Sequence, residues 1–367
     1  MLKFFFAFAL GVHGAIHMIG FAKAANPTSA SALTLPVSKG FGSLWMACAF
    51  LFIAAAGTYL SRKDWWWMAA LAGVLLSQYL VFCFWADARY GSLMNVVVAL
   101  AVAAGIAHWQ FRRAALHEVA ALYEGAGRAS VVVDETMLRP LPPVVARWLR
   151  RAGVAGQPLT RSTYIRQSGE MRTSPEGHWM PFAAEQWFNA GVPGFVWLAD
   201  IAAAPGVHIA GRDTCMGGKG RMLIKAMSVY PIADATGPEV DQGALLRYLA
   251  EIIWFPSAAL RDYITWEATG DAGATATLTL GGQTVTAEFA FNADGDPVSV
   301  SAARYYAQDG GATLERWHVA LDPDSFADFQ GVRLPARATV TWKLAAGDFE
   351  WYRVEVDSVA RNQGGKT

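Results

Sequence analysis

Four apolar runs dominate the start of the chain: Phe4 to Ala22, Phe41 to Leu60, Trp65 to Trp85 and Tyr90 to Phe111, none containing Asp, Glu, Lys or Arg. About twenty residues at ~1.5 Å each cover the ~30 Å hydrocarbon layer of a bilayer, so each run is predicted to cross as a helix. Only Ser61 to Asp64 and Ala86 to Arg89 separate the later runs, which makes them antiparallel neighbours. Trp45, Trp65 to Trp67, Trp85 and Trp109 fall near run ends, where an amphipathic ring suits the headgroup region.

Residues 1–113 are therefore expected to form a four-span transmembrane bundle, residues 114–135 a polar linker with early helical character, and residues 136–367 a second domain. After Pro142 and Pro143, an apolar stripe of Val144, Val145, Trp148 and Leu149 against Arg147, Arg150 and Arg151 predicts a short amphipathic helix ending at Gly153. It would lie either on an acidic lipid surface or on its own domain. Beyond Thr160 the period becomes two. Thr275, Thr277 and Thr279 alternate with Ala276, Leu278 and Leu280, Gly281-Gly282 makes a turn, and Val285, Ala287, Phe289 and Phe291 return. Val340, Trp342 and Leu344, then Tyr352, Val354 and Val356, repeat the pattern. One helix interrupts it: after Pro238, Leu245, Leu246, Leu249, Ile252 and Ile253 form a wide apolar face, extended by Trp254 and Phe255 and ended by Pro256. The domain reads as α+β, a curved antiparallel sheet of about nine to eleven strands covered by one or two helices.

Composition agrees with a membrane part: 54% of the 367 residues are apolar and 15 are Trp. Residues 1–113 hold eight Lys or Arg and two acids; taking these from 30 of each leaves 22 basic and 28 acidic residues downstream. An acidic domain without a basic stripe repels phosphate backbones, so nucleic acid is not an expected partner. Lys3, Arg62, Lys63, Arg112 and Arg113 flank the spans on one side and Lys23, Lys39 and Arg89 on the other. That bias predicts a cytoplasmic N-terminus in a bacterial inner membrane and a cytoplasmic second domain. A rival reading makes the first run a cleaved signal peptide. Cys48, Cys83 and Cys215 have no disulfide or metal spacing, and no cofactor or metal is expected.

The segments "SQYLVFCFWADARYGSLMNVVV", "PLPPVVARWLRRAG", "MPFAAEQWF", "PGFVWLADI" and "LLRYLAEIIWFP" resemble a family of uncharacterised bacterial proteins, a domain of unknown function often fused to four N-terminal spans. That resemblance implies no activity. At fold level the strand meander, the covering helix and the late "FQGVRLPARATVTWKL" are similar to the LolA-like half-barrels of lipoprotein carriers. Those hold acyl chains between a curved sheet and a helical lid, which implies membrane lipids or a hydrophobic small molecule as partners.

Polar residues inside the spans draw attention next. His13 and His17 share one helix face. At ~1.5 Å per residue they lie ~15 and ~21 Å from the inner boundary, with Gln78 at ~22 Å and Asn95 at ~26 Å. A polar cluster of His13, His17, Gln78, Asn95 and the nearby Asp87 would link spans one, three and four, either as interhelical hydrogen bonds or as an ion, proton or ligand site. Downstream, Trp187, Trp197, Trp254 and Phe255 are expected to line an apolar hollow, with Arg212 and Arg221 near an anionic headgroup at its mouth. Glu185 and Asp213 are the acid-base candidates should the protein be an enzyme. Arg247 and Glu251 read as an ordinary i, i+4 helix pair. The expected function is a membrane-anchored binding protein for a lipid or hydrophobic ligand. The alternatives are an enzyme acting on a membrane-soluble substrate and a structural or sensory module.

Overall fold

The structure, a computed structural model, describes residues 2–28, 33–124, 131–308 and 310–362. It divides into two compact units, Met1–Arg112 with Met227–Val229, and Arg113–Ala226 with Tyr230–Thr367.

The first unit is helical: α1 (Leu2–Ala25), α2 (Lys39–Leu60), α3 (Trp66–Cys83), the single turn α4 (Trp85–Ala88) and the start of α5 (Gly91–Tyr123), whose residues from Arg113 on belong to the second unit. All four long helices are long and apolar enough to cross a membrane, which suggests a membrane-anchored protein. Glycine sets their spacing. A Cβ on Gly20 would overlap the Trp45 ring, one on Gly42 would overlap Ala24, and one on Gly73 would come within 3.2 Å of Phe52. Leu10, Trp45, Cys48, Phe52, Leu80 and Phe84 form the buried interior. Phe4, Phe8 and Leu100 stand more than two-thirds exposed, an arrangement suited to hydrocarbon rather than water. Helix α5 runs through Tyr123, so the start of the stretch read as linker is a continuation of the helix.

The second unit opens with α6 (Glu135–Leu138) and α7 (Pro143–Arg151). Six strands follow: β1 (Ser162–Met171), β2 (Met180–Asn189), β3 (Gly194–Ala204), β4 (Val207–Met216), β5 (Lys219–Ala226) and β6 (Tyr230–Ala235). Helix α8 (Pro238–Glu251) leads through two 3-10 turns into β7 (Ile264–Ala268), β8 (Gly273–Leu280), β9 (Gln283–Phe291), β10 (Pro297–Gln308) and β11 (Gly311–Leu321). The chain closes with β12 (Phe326–Phe329), β13 (Val332–Pro335), β14 (Arg337–Leu344) and β15 (Gly347–Arg361). β12 and β13 pair as a separate hairpin. The other thirteen form one antiparallel sheet in the order β6-β5-β4-β3-β2-β1-β15-β14-β11-β10-β9-β8-β7.

This sheet is strongly curled. In a flat sheet β5 and β9 would stand nine spacings apart, about 43 Å at ~4.8 Å per strand. Helix α8 nevertheless touches both. The β4–β5 and β8–β9 turns also meet, since a Cβ on Gly281 would lie 2.8 Å from the Gly217 carbonyl oxygen. Both turns use paired glycines at positive φ, Gly217-Gly218 and Gly281-Gly282, which hairpin geometry demands and which lets the two backbones approach. The result is a half-barrel wrapped around one helix.

Thirteen strands exceed the expected number because some carry no period-two signal. β3, "GFVWLADIAAA", is buried on both faces over most of its length and so reads as a continuous apolar run. Its outer neighbours include the last turns of α5, where Ala115, Val119 and Leu122 are buried and Asn189 Nδ2 donates to the Leu122 carbonyl at 2.7 Å. Helix α7 packs on its own domain rather than presenting its stripe to lipid: Trp148 is 2% exposed against Trp266, Phe289 and Phe291.

Candidate functional site

In the helical unit, α1, α3 and the start of α5 border a groove of about 640 Å³, the size of a small-molecule site. Phe5, Phe8, Val12, Ile16 and Ile19 supply one wall and Tyr90, Gly91 and Met94 the other, with His13, His17 and Ser77 beneath. Those polar groups belong to one network. His17 Nδ1 donates to the His13 carbonyl at 2.8 Å, and its Nε2 meets Ser77 Oγ at 2.9 Å. His13 Nε2 lies 3.0 Å from Asn95 Oδ1, Asn95 Nδ2 donates to Gln78 Oε1 at 3.0 Å, and Gln78 Nε2 donates to Ser92 Oγ at 3.2 Å. The bonds join α1, α3 and α5. Asp87 stands apart from this network at the rim, where its carboxylate accepts the Thr34 N–H and hydroxyl and the Leu35 N–H, fixing the segment before α2.

The half-barrel has a different character. The hollow expected between sheet and helix is occupied by the helix itself, with Leu245, Leu246, Leu249, Ile252 and Phe255 at 0% exposure. Beside this apolar plug runs a polar chain on the concave face. Trp197 Nε1 donates to Gln167 Oε1 at 3.3 Å, Gln167 Nε2 to Gln186 Oε1 at 3.3 Å, and Gln186 Nε2 to Glu251 Oε2 at 2.7 Å. Arg247 closes it, donating from Nε to Glu251 Oε1 at 2.9 Å and from Nη1 to Asp213 Oδ2 at 2.8 Å while stacking over Trp197 and Phe195. Burial pushes the Asp213 and Glu251 carboxyls up, against the pull of the Arg247 guanidinium. Arg304 lies over Trp317 and Trp342, and its own burial together with the Arg247 charge lowers it to about 10.

Strand register separates several residues that the sequence groups together. Gln186, Trp197 and Asp213 are paired across β2, β3 and β4 and share the concave face, whereas Glu185, Leu198 and Arg212 share the convex one. Glu185 accepts a hydrogen bond from the Tyr164 hydroxyl at 2.7 Å, so it and Asp213 cannot serve one substrate. Arg212 pairs with Glu118 and Arg221 with Asp234 on the convex face, away from any mouth of the hollow. Trp187 is buried on that face too, against Tyr164. Trp197, Trp254 and Phe255 are concave but packed into the interior, Trp254 donating to the Pro335 carbonyl at 3.1 Å. The carboxylate that accompanies Asp213 is Glu251. Its signal was present in the sequence, as were Gln167 and Gln186 at apolar-face positions of β1 and β2; that Arg247 reaches a strand from another hairpin was not.

Two crystal structures resemble part of this fold. One, described as an outer membrane lipoprotein-sorting protein domain from Vibrio parahaemolyticus, is 7% identical, covers 62% of this chain and 94% of its own, and has a TM-score of 0.32. The other, a DUF1329 family protein from Desulfovibrio piger, is 10% identical, covers 63% and 95%, and has a TM-score of 0.29. At those scores neither protein's role carries over, and the half-barrel described above rests on this chain's own strand pairing. No curated protein matches. The family of unknown function DUF6544 has a model that matches residues 131–354, the greater part of the chain and nearly all of the half-barrel, and the protein belongs to that family.

Proposed function

We propose that this is a membrane-anchored binding protein that holds a lipid or other hydrophobic molecule, and that the holding site is the groove beside α1. The observation that carries the reading is the combination of about 640 Å³ of space, apolar walls and a polar floor within one unit. Apolar walls accommodate a chain, and a buried polar floor orients a head group. A half-barrel pocket is the weaker location for the same ligand, because the side chains of α8 fill the apolar part of that hollow and what borders them is the charged Asp213–Arg247–Glu251 chain. In this reading the bilayer is the bacterial inner membrane with the half-barrel on its cytoplasmic side, supported by the five-to-three distribution of flanking basic residues.

The test is native mass spectrometry of protein extracted in a mild detergent. Wild-type protein is expected to carry a bound lipid or lipid-like molecule, and Ile16→Trp, which fills the groove from one wall, to lose it while retaining its fold. Equal occupancy in both proteins would place the ligand elsewhere.

A further inference from the structure

The hydrogen bonds around His13 prescribe what the head group of a groove ligand must offer. Asn95 Nδ2 donates to Gln78 Oε1, which leaves Asn95 Oδ1 as the atom facing His13 and makes it an acceptor. His13 Nε2 therefore carries the hydrogen, and in a neutral ring Nδ1 is then a bare lone pair. Its neighbour is fixed the other way round. His17 Nδ1 must donate to the His13 carbonyl, so His17 Nε2 accepts from the Ser77 hydroxyl, and both of its ring nitrogens are used. Asn95, itself 2% exposed, is likewise bonded through both amide atoms.

His13 Nδ1 is different. The ring is 5% exposed and borders the groove, and among the described residues no hydrogen bond to Nδ1 is found. A buried acceptor without a partner costs about 1–3 kcal/mol, which a ligand hydrogen bond recovers.

We infer that His13 Nδ1 is the head-group acceptor of the groove, and that the ligand is a neutral amphiphile presenting a hydroxyl or N–H donor, in the manner of a long-chain alcohol or phenol. This inference rests on the groove reading above and adds the chemistry of its occupant. An anionic head group brings only acceptors to a lone pair and is disfavoured. The His13 ring packs on His17 from the same helix and Phe52 from α2 and bonds Asn95 from α5, and Ser77 from α3 bonds His17; all four are neutral or apolar. Asp87, which also lines the groove at its rim, adds repulsion toward a carboxylate or phosphate.

The experiment titrates the full chain in neutral detergent with dodecanol, its methyl ether and dodecanoate, which share a chain length and differ in the head. His13→Gln is the diagnostic variant, because a Gln amide nitrogen can take the place of Nε2 toward Asn95 while its carbonyl oxygen, one bond farther from Cβ than Nδ1, is displaced from the Nδ1 position. Wild type is expected to bind dodecanol about tenfold more tightly than the ether or dodecanoate, a difference of about 1.4 kcal/mol. His13→Gln is expected to bind all three equally, with unchanged thermal unfolding. Should His13→Gln keep the full preference for the alcohol, or should wild type prefer dodecanoate, the His13 inference is wrong. Loss of all binding in Ile16→Trp, alongside an unaltered His13→Gln, would preserve the groove and discard only its assigned head group. Failure of wild type to bind any of the three discards both.

Discussion

Asp241 Oδ1 accepts the backbone N–H of Gly220 at 2.7 Å, and its Oδ2 accepts the Lys219 ammonium at 2.8 Å. Through this carboxylate the first turn of α8 is tied to β5, and a longer contact of 3.4 Å from Gln283 Nε2 reaches β9 on the other arm of the curl. Burial alone would raise Asp241, but the Lys219 and Gly220 donors outweigh it and hold the carboxyl below its usual range. Its folded value being depressed, its contribution is present above the ordinary carboxylate range and fades as pH falls through the depressed value. Asp241→Asn is expected to cost about 1–3 kcal/mol at neutral pH, and chemical denaturation in increasingly acidic buffer should show the gap from wild type closing.

Among the described residues, Arg247 is the single cation touching both Asp213 and Glu251 within ion-pair distance. Its replacement by Met leaves two carboxylates in a confined space, at a cost of about 3 kcal/mol at neutral pH. Both carboxyls are already raised by burial, and the loss of Arg247 raises them further. A carboxyl whose folded value is raised is penalised above that value and relieved below it, so Arg247→Met should itself recover stability on mild acidification, whereas the Asp241→Asn gap closes because wild type loses stability. Thermal unfolding of the two variants across the same pH series checks both signs at once.

Gly169 in β1 has no room for a side chain, since a Cβ there would overlap the Arg353 carbonyl of β15 and come within 3.0 Å of the Phe182 ring. The register of these two strands shifts between Arg166 and Gln167, an irregularity of the kind that bends a strand. Gly169→Ala is expected to lower stability by about 2 kcal/mol or more. A denaturation midpoint equal to wild type would show that the strands relax freely at this point.

His17 bridges α1 to α3 through Ser77. His17→Leu removes that bond without removing bulk, and is expected to lower the stability of the helical unit by about 0.6 to 2 kcal/mol, read by titration with a denaturing detergent. Ligand retention in the same variant separates a bond that only joins helices from one that also shapes the groove floor.

Much of the local structure was legible along the chain. Gly281-Gly282 between alternating runs announced a hairpin, Pro238 and Pro256 bracketed the covering helix, and uncharged runs of about twenty residues announced the long helices. The site was less legible. His13, Gln78 and Asn95 could be ranked by depth, but Ser77, the direct partner of His17, looked like any small residue of an apolar helix. Glu185 stood beside Gln186 in the sequence and is separated from it by the thickness of a sheet, because successive strand side chains point to opposite faces.

What the sequence determined by itself was each element and the apolar face it must bury, since helical and strand periodicities are properties of a few consecutive residues. What only the tertiary structure decided was which faces meet. The curl that carries β5 and β9 to one helix depends on close backbone approaches at Gly169, Gly217 and Gly281, each involving strands distant in the chain. The free nitrogen of His13 depends on hydrogen bonds passed from α5 through α3. Such relationships are sums over the whole packing, and no local run of residues contains them.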